Sequence, residues 1–141
     1  MHLLVNIDVD DLARAERFYC EAFGLRPARR IGDGVLELLG AQAPIYLLKK
    51  DAGSIGAGAA GRSYARHWSP LHCDVVVDDL DAALARALAA GARKEGDVRE
   101  DSWGRIVQLA DPFGHGWCLL QFLGRGYDEI AAGPSAPDPT S

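Results

Sequence analysis

At 141 residues, 48% hydrophobic and 25% charged, the chain can bury the core of one compact domain, or of two small modules sharing one core. A formal net charge of −5 with no run of Lys or Arg argues against a nucleic-acid partner, and no stretch approaches the roughly 20 apolar residues of a membrane-spanning helix. The three cysteines, Cys20, Cys73 and Cys118, are odd in number and form no CxxC pair. That predicts free thiols and a cytoplasmic location, and MHLLVNIDVD at the amino terminus lacks the basic flank and apolar stretch of a secretory leader.

The first predicted element is a strand in which Val5, Ile7 and Val9 alternate with Asn6, Asp8 and Asp10. Asp10 or Asp11 then caps a helix with Leu12, Ala15, Tyr19, Ala22 and Phe23 on one stripe, and Gly24 stops it. Three extended pieces follow, at 26–31, 35–39 and 44–49. From residue 72 the pattern starts again: HCDVVVDDL parallels LVNIDVDDL at an offset of 68. Cys73, Val75 and Val77 take the buried face, Asp78 or Asp79 caps, and Leu80, Ala83, Leu84, Ala87 and Leu88 form the stripe before Gly91. Strands are predicted at 93–98, 104–110 and 116–122. The last strands also match, PIYLLKK with GWCLLQF, but at an offset of 72, which puts about four extra residues in the second copy around 96–102. The chain therefore reads as an internal duplication of a strand, a helix and three strands. The predicted organisation is a first unit at 1–50, a Gly/Ala-rich linker at 51–68, a second unit at 69–123 and a carboxy-terminal extension at 124–141 with a disordered tail, GPSAPDPTS.

With RFYCEAFGL along the first helix and WGRIVQLADPFGHGWCLLQF at the end, this order resembles the vicinal oxygen chelate superfamily: glyoxalases, extradiol dioxygenases, fosfomycin-modifying enzymes and bleomycin-resistance proteins. The resemblance covers about residues 4–122. It implies an α+β fold of two tandem βαβββ units forming cup-shaped mixed sheets, with a homodimer common in the family. Metal-dependent members place a ligand on the first and on the last strand of each unit, usually His and Glu. The corresponding positions here are Leu4, Tyr46, His72 and Cys118, which hold too few good donors for a catalytic divalent ion. No metal or other cofactor is therefore expected.

Strand alternation predicts a cup lining of Asn6, Asp8, Glu37, Tyr46, His72, Asp74, Gln108, Cys118, Leu120 and Phe122. The carboxylates among them favour a cationic or hydrogen-bond-donating small molecule. His72 and Cys118 are the catalytic candidates, because a Cys–His pair can generate a thiolate nucleophile. Asp111, Pro112 and Gly114 suit a tight hairpin turn with His115 exposed in it. Trp117 is expected in the core, and Trp68 and Trp103 at the rim of the cup or against a ligand. Three functions follow: a metal-independent protein of the glyoxalase/bleomycin-resistance type that binds a small organic ligand; a lyase, isomerase or dioxygenase-like enzyme using His72 as metal ligand or acid/base; or a module that binds another protein.

Overall fold

The computed structural model describes residues 1–133, so the part of the expected disordered tail from 134 onward lies outside the described residues. The first unit comprises β1 (Val5–Val9), α1 (Leu12–Phe23), β2 (Arg26–Ile31), β3 (Val35–Leu39) and β4 (Ile45–Lys49). A small hairpin of β5 (Ile55–Ala57) and β6 (Ala60–Gly61) follows. The second unit comprises β7 (Cys73–Val76), α2 (Leu80–Ala90), β8 (Arg93–Lys94), β9 (Arg99–Asp101), β10 (Gly104–Ala110) and β11 (Gly116–Phe122), and a 3-10 turn spans Gly126–Glu129. No helix among the described residues is long and apolar enough to cross a membrane.

Both helices start on an aspartate that accepts a hydrogen bond from the backbone N–H three residues on, Asp11 from Arg14 and Asp79 from Ala82. Both end at a left-handed glycine, Gly24 or Gly91. The two sheets have equivalent orders, β1-β4-β3-β2 and β7-β11-β10-β8, with β9 also paired to β10. In each sheet the first and last strands run parallel and the remaining pairs antiparallel, so the fold is α+β with mixed sheets. The strand predicted at 93–98 is broken: β8 stops at Lys94, Gly96 and Asp97 interrupt the ladder, and β9 resumes at Arg99. The extra residues of the second copy are thus accommodated by an additional short strand.

One core serves both units. Ile7, Val9, Leu36, Leu38 and Leu47 of the first sheet and Val107, Leu109 and Leu119 of the second bury their side chains in the same cluster as both helices. Ala83 and Ala87 are essentially fully buried on α2, and their small side chains allow it to lie close to α1. Phe18, absent from the predicted stripe, is buried beside Tyr19 and meets Phe23 and Phe113 edge to face, while Trp117 packs on Phe23 and Tyr19 in the core as expected.

Residues 51–68 do more than link the units. Arg62 forms an ion pair of 2.7 Å with Asp8, the Tyr64 hydroxyl donates to the Lys50 carbonyl at 2.6 Å, and Arg66 pairs with Glu95 at 2.9 Å. This strap runs directly over the β10–β11 turn. A Cβ on Gly114 would stand 2.7 Å from the Ala65 carbonyl oxygen, and one on Gly116 would stand 2.6 Å from Arg66 Nη2. His115 is correspondingly not exposed: its Nε2 lies 2.9 Å from the Asp8 carbonyl oxygen, so the turn is held between the strap and β1.

Candidate functional site

The strand registers align the predicted cup residues in two equivalent rows. In the first sheet Tyr46 stands opposite Asn6 on β1 and Glu37 on β3. In the second, Cys118 stands opposite Asp74 on β7 and Gln108 on β10. All six point away from the helices, because the residues flanking them in sequence face the shared core.

In the first row Glu37 is only 5% exposed, and its carboxylate accepts from Arg29 Nε at 2.9 Å, from Arg29 Nη2 at 2.6 Å and from the Tyr46 hydroxyl at 2.6 Å. Hydrogen bonds from Arg29 first, and from Tyr46 second, pull its pKa down to about 2, and the same carboxylate raises the pKa of Tyr46. A carboxylate with a depressed folded-state pKa stabilises the fold above its ordinary value of 4.5, and that contribution disappears as pH falls toward about 2. Urea unfolding of Glu37→Gln across this window is expected to show a flatter loss of stability with falling pH than the parent. Identical slopes would mean that the pair is not formed in solution.

Arg29, which the sequence analysis did not single out, therefore supplies the charge balance of the first row from β2. Arg62 does the same for Asp8 from the strap, and His72 Nε2 lies 3.3 Å from Asp74 Oδ1. The expectation of a cationic ligand rested on bare carboxylates. Here Glu37 and Asp8 are paired with arginines of the chain itself, and Asp74 lies beside the His72 imidazole. Pairing of Arg29 could be anticipated from its β2 position across from β3, but that of Arg62 could not, since the strap's path is not encoded in strand periodicity.

In the second row the Cys118 thiol is pushed up to about 11 by burial, with the Asp74 carboxylate adding to the effect. The protein thus holds Cys118 as a thiol, the opposite of what a Cys–His nucleophile requires. His72 precedes β7 and is exposed. Together with Arg66, Trp68, Leu71, Gln108 and Cys118 it borders an open recess at the edge of the sheet. Leu120 is 2% exposed and presents no free surface. The Phe122 ring packs edge to face on Tyr127 of the 3-10 turn at 4.9 Å, and Tyr127 also covers Trp103 at 5.1 Å. The carboxy-terminal segment thus contacts the apolar end of the predicted lining, while Phe122 itself stays 39% exposed.

The four positions that carry metal ligands in the superfamily do not fit that role here. Leu4 has no donor atom, and the Tyr46 hydroxyl is committed to Glu37. The first unit thus contributes nothing to such a set.

The glyoxalase-like domain family matches residues 4–120. The Mycobacterium bovis protein Mb0911c is 33% identical over 137 residues, which is 93% of this chain and 90% of that protein. The anthracycline biosynthesis protein DnrV of Streptomyces peucetius is 30% identical over 133 residues, covering 93% of this chain but 44% of DnrV. Two solved structures share the fold. The fosfomycin resistance protein FosX of Mesorhizobium loti has a TM-score of 0.67 at 18% identity, over 93% of this chain and 98% of its own. TioX of Micromonospora sp. ML1 has a TM-score of 0.66 at 23% identity, over 87% and 99%. A match that begins just ahead of the first strand and runs into the last, in a chain whose two sheets repeat one order and one register, makes this protein a member of the glyoxalase-like family within the vicinal oxygen chelate superfamily.

Proposed function

We propose that this chain binds a small organic ligand on the open faces of its two sheets, in the manner of the bleomycin-resistance branch, with no ion at the superfamily's four ligand positions. The observation that carries this reading is the repeated row Asn6–Tyr46–Glu37 and Asp74–Cys118–Gln108, a polar row on the sheet face away from the core in both units. Because Asp8 and Glu37 are already paired with arginines, recognition rests on hydrogen bonds and on contact with Tyr46 and Trp68 more than on net charge. We further propose a cytoplasmic homodimer. Among the described residues β1 and β7 each lack a strand partner on one side, and exposed Leu3, Leu4, Trp68, Leu71 and Val76 lie on or next to those edges. A second copy would cover both edges and bring two half-cups together.

The test is a titration of tryptophan fluorescence with a panel of aromatic compounds, neutral, cationic and anionic, followed by recovery of the compound. At least one is expected to saturate and to be recovered unchanged, with Tyr46→Ala weakening it about tenfold, the equivalent of 1.4 kcal/mol. Saturation that is insensitive to both Tyr46→Ala and His72→Ala would place the ligand elsewhere and sink the reading. One observation favours a second reading, an enzyme of the same fold: Asp74 backs the His72 imidazole, as a partner that orients an acid/base would. Conversion of the compound, abolished in His72→Ala, would select it.

A further inference from the structure

Outside the cup, a second recess opens where the first turn of α1, the glycine that ends α2, the start of β8 and the strap meet over the β10–β11 turn. Its lining brings together Arg14 of α1, Arg66 of the strap and Arg93 of β8, with Asp111 as the one acid among the lining residues. Local structure places each arginine. The Arg14 guanidinium lies over the Phe113 ring, 5.4 Å from its centroid, which holds it beside the turn without using its N–H groups. Arg93 stands opposite Ala110, the residue before Asp111. Of the three, Arg66 is paired, with Glu95 at 2.9 Å, whereas no ion pair among the described residues involves Arg14 or Arg93. Asp111 offers them little, because it is 6% exposed and its oxygens already accept from Tyr19, Trp117 and the N–H groups of Phe113 and His115. The recess is therefore positive, in a chain whose formal net charge is −5.

We infer that this recess binds an oxyanion of the phosphate-monoester class, held by Arg14 and Arg93 with Arg66 at its edge. A carboxylate presents one edge to one guanidinium. A phosphate group presents three oxygens in three directions, which suits guanidinium groups that arrive from three separate elements. The two unpaired arginines also match the double negative charge of a monoester. The site shares no residue with the polar rows of the cup or with the superfamily's four ligand positions, and it does not depend on the organic ligand proposed above. Because Arg66 belongs to the strap, an anion held here ties the strap to α1 and β8, and binding should protect residues 51–68 from cleavage.

The probe is inorganic phosphate, titrated at constant ionic strength into isotope-labelled protein and followed by the backbone amide resonances. Those of Arg14, Gly91, Arg93 and Gly114 are expected to shift together and to saturate with a Kd below about 10 mM, while proteolysis within residues 51–68 slows. Methyl phosphate should bind at the same place, and acetate at least about tenfold more weakly. Arg14→Gln and Arg93→Gln, both at exposed positions, should each weaken phosphate binding at least about fivefold and leave the rest of the amide spectrum as in the parent. Arg17→Gln and Arg86→Gln, at exposed helix positions outside the recess, should leave binding unchanged. The inference is overturned by shifts that grow without saturating, by saturation centred on other residues, by equal affinity for acetate, or by unchanged affinity in either Arg14→Gln or Arg93→Gln.

Discussion

Asp111→Ala is expected to cost about 3–5 kcal/mol of folding stability, the largest loss from any single side chain considered. Asp111 is 6% exposed and accepts four hydrogen bonds: from the Tyr19 hydroxyl, from Trp117 Nε1 at 2.9 Å, and from the backbone N–H groups of Phe113 at 2.8 Å and His115 at 3.0 Å. One carboxylate thereby ties α1 to the β10–β11 turn and to the indole at the head of β11. Removing it leaves buried donors with no acceptor, at about 1–3 kcal/mol each before relaxation, in a fold whose total stability is expected to be about 5–15 kcal/mol. Asp111→Asn keeps one acceptor oxygen but turns an NH₂ toward groups that themselves donate, so its loss should be intermediate. Chemical denaturation with a common slope measures the series. A loss below about 1 kcal/mol for Asp111→Ala would show that water replaces the carboxylate and that the turn is not held from α1. Burial first, and this carboxylate second, raise the Tyr19 pKa well above its ordinary value, which favours the protonated, donating hydroxyl.

Gly114→Ala is the second large effect, at about 2–4 kcal/mol. Two costs combine. The φ of +88° is unfavourable for an L side chain by about 1–2 kcal/mol, and the new methyl would stand 2.7 Å and 2.8 Å from the carbonyl oxygens of Ala65 and Tyr64, which are backbone and cannot rotate aside. Gly24→Ala is the control, because its φ of +68° carries the first cost while nothing lies within 4 Å of the added methyl. The excess loss in Gly114→Ala over Gly24→Ala therefore measures the contact with the strap. A displaced strap should also become sensitive to limited proteolysis within residues 51–68. Equal losses in the two variants, with unchanged proteolysis, would mean that the strap does not rest on the turn in solution.

The duplication was legible because it is written twice in local rules. Alternation at Val5, Ile7 and Val9, aspartate caps at Asp11 and Asp79, and glycine stops at Gly24 and Gly91 depend only on neighbours in sequence, and each appears in the structure where expected. Alternation also put Asn6, Glu37, Tyr46, Asp74, Gln108 and Cys118 on the face away from the helices, since a strand's period of two leaves no other choice once one face is buried. What alternation cannot state is which charges meet across strands or from distant loops. Arg29 reaches Glu37 across β2 and β3, Arg62 returns from the strap to Asp8 over 54 residues, and Tyr127 covers Phe122 from beyond the last strand. The sequence by itself determined the two units, their helix boundaries and the face on which the polar rows lie, because these follow from short-range periodicity and capping. Only the tertiary structure decided that Asp8 and Glu37 are neutralised by arginines of the chain itself, that His115 is held against β1, and that His72, Asp74 and Cys118 converge. Those outcomes depend on strand register and loop path, and both are settled by burial of a core shared between residues far apart in the chain.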